Sequence, residues 1–251
     1  MAKNLSGKKA LVTGAGGGIG QSIVEALKAQ DVTVAGTDQA TCSQSDISIV
    51  GDLTDSTFCD ELPQEAARQL GGLDIVINNA GIIRRGPITE AKDEDYAVSF
   101  AVNVEAPFRI CRAAIPILAE AGGGAIVNIA SCWGVHPGPN HPIYCMSKAA
   151  VASMTQCLGH DHAHQGVRIN AVCPNEVDTS MLRSGFSSRG MDPDTAIASL
   201  NASVPLGHIA EPQEIADVVL FLRQTRRAIC PAAWLRLMAA KPSTEAWTRS
   251  R

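Results

Sequence analysis

The chain has 251 residues, 45% hydrophobic and 18% charged, and its 21 Lys and Arg against 25 Asp and Glu leave a net charge of -4. That balance excludes a disordered or collagen-like chain, allows a sizeable core, and offers no basic field to gather nucleic acid or anionic lipid. No run approaches the roughly 18 apolar residues of a membrane span, and Met1-Ala-Lys-Asn-Leu-Ser-Gly lacks the apolar centre of a secretory signal, so the expected location is cytoplasmic, with one domain over residues 1–251. Cysteines at 42, 59, 111, 132, 145, 157, 173 and 230 form no C-x-x-C pair, and several sit in apolar runs, the pattern of reduced core thiols.

Lys9-Ala-Leu-Val-Thr13 reads as a strand, Gly14-Ala-Gly-Gly-Gly-Ile-Gly20 as a glycine turn, and Gln21 to Gln30 as a helix carrying Ile23, Val24 and Leu27 on one face. Further strands fit residues 32–38, 47–50, 73–78, 125–129 and 167–172, and helices fit 58–70, 93–108 running on to 121, 144–164 and 211–222. The helix from 211 opens with Glu-Pro, which suits a first turn because proline has no N–H to lose there. Apolar strands alternating with helices predict a doubly wound α/β fold, a Rossmann-like parallel sheet covered on both faces. The link from Asp38 to Ile47 is too short for a full helix, so a reduced crossover is expected there. Residues 182–210, rich in Ser, Gly, Asp and Pro, are expected to form a mobile substrate flap.

Glycines at 14, 18 and 20 let a turn take positive φ and let backbone approach a pyrophosphate at the N-terminus of the next helix. A glycine-rich turn alone can be a tight connection and nothing more. Asp38, at the end of the second strand, adds a carboxylate that can accept from both ribose hydroxyls and would repel a 2'-phosphate, and positions 15–18 hold no Arg or Lys to offset it. NAD is therefore expected over NADP. Tyr144 and Lys148 stand four residues apart on one helix face, where an ammonium can favour the phenolate and make the tyrosine a general acid/base. Ser131 ends a strand at the C-terminal edge, where open α/β sheets place ligands.

The combination Thr13-Gly-x-x-x-Gly-Ile-Gly20, Asn78-Asn-Ala-Gly81, Asn103, Ser131, Tyr144-x-x-x-Lys148 and Pro174-x-x-Val-x-Thr179, spread over roughly residues 5 to 222, resembles the short-chain dehydrogenase/reductase family. The resemblance implies that Tyr144 exchanges the hydroxyl proton, Ser131 orients and polarises the substrate oxygen, Lys148 holds the nicotinamide ribose and tunes Tyr144, and Asn103 holds a water linking Lys148 to solvent. It places Gly14, Gly18, Ile19 and Gly20 at the phosphates, Asp52 and Leu53 by the adenine, Asn79, Ala80 and Gly81 along the cofactor, and Pro174, Val177 and Thr179 at the nicotinamide end. It also implies a homotetramer or homodimer built on helices 93–121 and 144–164. Asn175 departs from the glycine the family commonly has after the proline, and reads as a substrate-pocket variation.

The tail departs further. Residues 223–242 lack the final strand and Val-Asp/Asn-Gly-Gly ending of the family. Joining the last base of each codon to the first two of the next lets this stretch spell Ser-Asp-Ala-Ala-Arg-Tyr-Leu-Ser-Gly-Gly-Leu-Val-Glu-Val-Asn-Gly-Gly-Lys-Ala, with Gly forced at the Met238/Ala239 junction and a stop available across Thr244/Glu245. A one-base deletion near codon 222 or 223, in the gene or in its reading, accounts for the tail 223–251; a genuinely divergent tail is the alternative. If the written tail is native, the sheet is expected to lose its edge strand.

The substrate pocket is expected around Ser131, Trp133, His136, His141, Asn175, Glu176, Met181, Arg183 and Arg189, with Tyr144 at its centre. Arg84 and Arg85 follow the Asn-Asn-Ala-Gly motif, and the Ile-Ile-Arg-Arg string is similar to family members that oxidise sugar acids; two guanidiniums can clamp an anion or simply face water. No metal is expected: His136 and His141 lack a third ligand, and His160, His162 and His164 alternate around a helix. The expected activity is hydride transfer between NAD and a secondary alcohol or ketone, a small molecule such as a polar or anionic polyol or sugar acid. The alternatives are an NADPH-linked 3-ketoacyl-type reductase and a catalytically impaired cofactor-binding protein.

Overall fold

The computed structural model describes residues 5–224 and 234–237. Seven parallel strands form one sheet in the order β3-β2-β1-β4-β5-β6-β7: β1 Lys9–Thr13, β2 Thr33–Asp38, β3 Ile47–Val50, β4 Ile75–Asn78, β5 Gly124–Ile129, β6 Val167–Pro174 and β7 Trp234–Leu237. The chain winds outward from β1 to β3, returns to the centre, and winds the other way from β4, so the order reverses between β1 and β4 and a crevice opens at their C-terminal ends. The connection from β2 to β3 carries no helix, as its length predicts.

Side chains on successive strand residues point to opposite faces, and the two halves of the core follow from that alternation. Ala10, Val12, Ile75, Ile77 and Val127 pack on one face against Ile23, Val24 and Leu27 of α1 (Gly18–Lys28) and Ile215, Val219 and Leu222 of α8 (Pro212–Gln224). Leu11, Val76, Ile126 and Ile169 pack on the other face against Cys59, Leu62 and Ala66 of α2 (Ser56–Leu70) and Ile110, Ala114 and Leu118 of α4 (Ala106–Glu120). The α2 helix starts where Asp55 accepts from the backbone of Thr57 at 2.8 Å and ends at Gly71, whose φ of +70° only glycine takes cheaply. Because Ile126 is fully buried in a central strand, Ile126→Ala is expected to cost about 3 kcal/mol through lost burial and a residual cavity, lowering the thermal midpoint by roughly 6 to 12 °C.

Two expectations need correction, and a third gains detail. The helical stretch 93–121 is interrupted: α3 (Asp93–Phe100) passes through a π-turn at Ala101–Glu105 before α4 begins. Residues 182–210 are largely helical, with α6 (Ser180–Ser187) and α7 (Pro193–Ser203) closing a small core of Phe186, Ala196, Ile197, Val204 and Ile209. Its serines and aspartates serve as caps and surface positions, Asp192 for instance capping α7 through Thr195 at 2.9 Å. The sheet also keeps an edge strand, with Trp234 beside Ala171 and Leu237 beside Pro174. These four residues lie where the joined-codon reading spells Leu-Val-Glu-Val, so both readings put a β-forming tetrapeptide next to β6. The rest of the proposed frame change, residues 225–233 and 238–251, lies outside the described residues. If the deletion lies in the reading of the gene, protein produced from the native gene is expected to have an intact mass below the 26.3 kDa of the written chain, because the joined frame stops early; a mass that matches the written chain would rule out a misreading and leave a deletion carried by the gene or a divergent tail.

Candidate active site

A cavity of about 550 Å³ runs along the C-terminal edge of the sheet. Its lining includes Gly14, Gly18, Ile19, Gly20, Asp38, Asp52, Leu53, Asn79, Ala80, Gly81, Ser131, Trp133, Tyr144, Lys148, Pro174, Asn175, Val177 and Thr179. Of the residues expected from sequence to bind cofactor or substrate or to act chemically, Arg84, Asn103, His136 and Arg183 stand outside that lining.

The glycine turn fits a diphosphate. Gly14 takes φ +63°, and an added Cβ would stand 2.8 Å from the Ala80 Cα, so this turn demands glycine on two counts. Gly18 and Gly20 lie within α1 and serve close approach instead; a Cβ on Gly20 would collide with the Gly14 carbonyl. The N-terminus of α1 has no side-chain cap and no acidic residue in its first turn, which leaves its amides and its dipole available to an anion. The Thr13 hydroxyl accepts from the Asn79 and Ala80 amides, both at 3.1 Å, while Asn79 Nδ2 donates to the Thr13 and Gly14 carbonyls, both at 3.0 Å. These bonds fix the loop after β4 against the turn after β1. Asp38 accepts from the Gly16 amide at 3.0 Å and the Gln39 amide at 2.8 Å, which holds its carboxylate at the rim where a ribose would lie. Asp52 accepts from the Thr54 amide at 2.9 Å, and that bond holds its carboxyl below the usual range.

Ser131, Tyr144 and Lys148 converge further along the cavity. Ser131 caps a short 3-10 turn through the Trp133 amide at 3.2 Å, and its hydroxyl hydrogen-bonds Tyr144. Tyr144 opens to the cavity, yet the surrounding protein pushes its hydroxyl up to about 12, against the pull of Ser131 and the Arg85 charge. Lys148, 4% exposed, donates to the Ile129 carbonyl at 2.8 Å with its Nζ 5.9 Å from the Tyr144 ring centroid, and burial pushes its amine down to about 8. Thus burial, rather than the lysine, dominates the tyrosine of the free site. Asn103 sits on the π-turn, where one residue too many swings its side chain toward α5 (Pro142–His162). Its Nδ2 donates to the Ile82 carbonyl at 2.9 Å and to Ser147 Oγ at 3.0 Å, and its Oδ1 accepts from the Ile82 amide at 2.8 Å. A Cβ on Gly81 would stand 3.1 Å from Lys148 Nζ and 3.4 Å from Asn103 Oδ1, so the glycine leaves room where the two polar groups meet.

At the far end His141, Asn175, Glu176, Met181 and Arg189 line the cavity, whereas His136 and Arg183 do not. Arg183 instead bridges Asp178 at 2.6 Å and Asp194 at 2.7 Å, tying α6 to α7. Arg84 pairs with Asp95 at 2.9 Å, and its neighbour Arg85 lines the cavity. Asn175 accepts from the Cys132 thiol at 2.9 Å and bonds the Glu176 carboxyl, which burial pushes above its usual range. Sequence reasoning did not single out the apolar wall of Leu182 and Phe186, four residues apart on α6, and Leu200 on α7, which the helical spacing of those two elements would have revealed. Among the described residues, the Cys, His, Asp and Glu side chains form no metal-binding cluster, and no helix is long and apolar enough to cross a membrane.

The chain is similar to known proteins over most of its length. The family model described as short chain dehydrogenase matches residues 8–190. The chain is similar to 2-keto-3-deoxy-L-fuconate dehydrogenase of Xanthomonas campestris pv. campestris, 33% identical over 87% of this chain and 74% of the relative. It is also similar to L-xylulose reductase of Bos taurus, 36% identical over 90% and 92%. The ligand-free structure of an aldohexose dehydrogenase from Thermoplasma acidophilum superposes with a TM-score of 0.88 at 27% identity, covering 95% of each chain.

Proposed function

We propose, from the premise that this chain belongs to the short-chain dehydrogenase family, that it moves hydride between NAD and a secondary alcohol or ketone of the sugar and polyol class. One observation carries the reading: Ser131, Tyr144 and Lys148 face the same cavity as Asp38 and the open N-terminus of α1. The relatives named above, all acting on sugars or sugar acids, support the substrate class.

A bound nicotinamide supplies or accepts the hydride. The protein supplies the proton and the geometry. In oxidation Tyr144 Oη takes the carbinol proton, and in reduction it returns that proton to the carbonyl oxygen. Ser131, already bonded to Tyr144, offers its hydroxyl to the same substrate oxygen and holds it at the tyrosine. The Lys148 ammonium, anchored on the Ile129 carbonyl, stabilises the phenolate that forms and would hold the ribose of a bound nicotinamide. Asn103 fixes the Ile82 backbone beside Lys148, where it would hold a water that passes the proton outward.

Preference for NAD rests on Asp38, whose carboxylate would face a 2'-phosphate with only Ala15, Gly16, Gly17 and Gly18 in the turn beside it. Fluorescence titration is expected to show NADH binding about 100-fold tighter than NADPH, and Asp38→Ala is expected to narrow that gap to about tenfold or less. Equal affinities in the unsubstituted protein would overturn the assignment. Turnover of NAD with a panel of polyols and sugar acids tests the activity itself. A dimer or tetramer joined through α4 and α5 belongs to the same proposal, supported by Phe108 and Met146, which stand 46% and 45% exposed on those helices.

A further inference from the structure

Among the described residues, the guanidiniums of Arg68, Arg84, Arg109, Arg112 and Arg183 all have carboxylate partners. Arg85 and Arg189, which both line the substrate end of the cavity, are held by neutral groups instead. Arg85 Nη2 donates to the Met181 carbonyl at 3.3 Å. Arg189 Nε donates to the Gly185 carbonyl at 2.9 Å, and its guanidinium lies 5.0 Å over the Phe186 ring. The two approach from different elements, the loop after β4 and the turn between α6 and α7, and their charges act on each other and on neutral His141. Gly185 makes the seat for Arg85, since a Cβ there would collide with its Nη2. Two converging cations in a half-dry pocket oppose each other, and a bound anion relieves that opposition. The one acidic lining residue on this side, Glu176, pairs with neither arginine and is disfavoured as a carboxylate by burial.

We propose that Arg85 and Arg189 form an anion subsite that holds the carboxylate of a sugar-acid substrate while its carbinol carbon faces Tyr144. The inference rests on the dehydrogenase reading for the second half of that sentence only. Planar guanidiniums match a carboxylate fork better than a point charge does. Both arginines and Tyr144 line one cavity, so an acid held by the pair turns the rest of its chain toward Tyr144, and Asn175 and Glu176 are left to meet its hydroxyls.

Calorimetric titration of the NADH complex with D-gluconate and with its neutral counterpart D-sorbitol tests the subsite. Gluconate is expected to bind about tenfold tighter or better. Arg85→Met should erase most of that preference and Arg189→Met part of it, with sorbitol and NADH affinities within about twofold of the unsubstituted protein. Gly185→Ala, which removes no charge, should weaken gluconate alone by displacing Arg85, and this variant together with Arg85→Lys carries the test if either Met variant loses NADH binding. The subsite is overturned if gluconate binds no tighter than sorbitol, or if its preference survives both arginine substitutions. Turnover is read separately: arginine-dependent gluconate binding without NAD reduction on any panel substrate would remove the dehydrogenase reading and leave the subsite standing.

Discussion

Tyr144→Phe is expected to lower turnover by about 1,000-fold or more while NADH affinity stays within about twofold. The hydroxyl is the only part removed, and the ring keeps its place near Lys148. No neighbour can replace it: Ser131 is a far weaker base, and Lys148 is bonded to the Ile129 carbonyl behind the ring. The pH profile should carry the same signature. Burial pushes Tyr144 up to about 12, so the unprotonated form needed to oxidise an alcohol becomes more populated throughout the alkaline range. Oxidation should therefore accelerate with pH without levelling below about pH 9, and reduction, which needs the protonated form, should not. Arg85→Met removes a charge that pulls this hydroxyl down, and is expected to move the oxidation profile to higher pH. Retention of more than about a tenth of the activity by Tyr144→Phe would sink the assigned role.

The residues that line the candidate site were legible because their chemistry and their position coincide. A glycine turn after an apolar strand, an aspartate ending the next strand and a serine ending the fifth all fall at the sheet edge where the winding reverses, and alternation of strands and helices suffices to predict that edge. The failures have physical causes too. Choosing between Arg84 and Arg85 requires knowing which way a loop turns, and adjacent loop residues carry no periodicity; Asp95, eleven residues on, takes one guanidinium and leaves the other to the cavity. The π-turn at Ala101–Glu105 is invisible because one inserted residue hardly alters helical spacing, yet it aims Asn103 at the Ile82 backbone. In residues 182–210 composition hid the helices: short helices spend much of their length on caps, so polar residues dominate the count while Phe186, Ile197 and Ile209 form the core.

Lys148→Met is expected to abolish more than 99% of turnover and, in the cofactor-free protein near pH 7, to raise stability. The amine falls from the ordinary lysine value of 10.5 to about 8 on folding, because burial disfavours its charged form. Between those two values the unfolded chain binds more protons than the folded one, so stability rises with pH across that window, and the full penalty persists below about pH 8. At pH 7 the penalty is on the order of 3 kcal/mol. The substitution removes it but leaves the Ile129 carbonyl without its donor, at a cost of about 1 kcal/mol. The net gain of about 2 kcal/mol should raise the melting midpoint by roughly 4 to 8 °C at pH 7. The melting curves should cross at about pH 10, because the burial penalty fades as the unfolded lysine also loses its proton and only the lost hydrogen bond to Ile129 then counts against the variant. Tyr144 acts with the opposite sign and later: its folded value of about 12 lies above the ordinary 10.0, so both proteins lose stability from pH 10 upward as the unfolded chain ionises first. A variant that melts lower than the parent at pH 7, by a margin independent of pH, would mark Lys148 as a packing element and remove the argument that the fold bears a buried charge for the sake of the reaction.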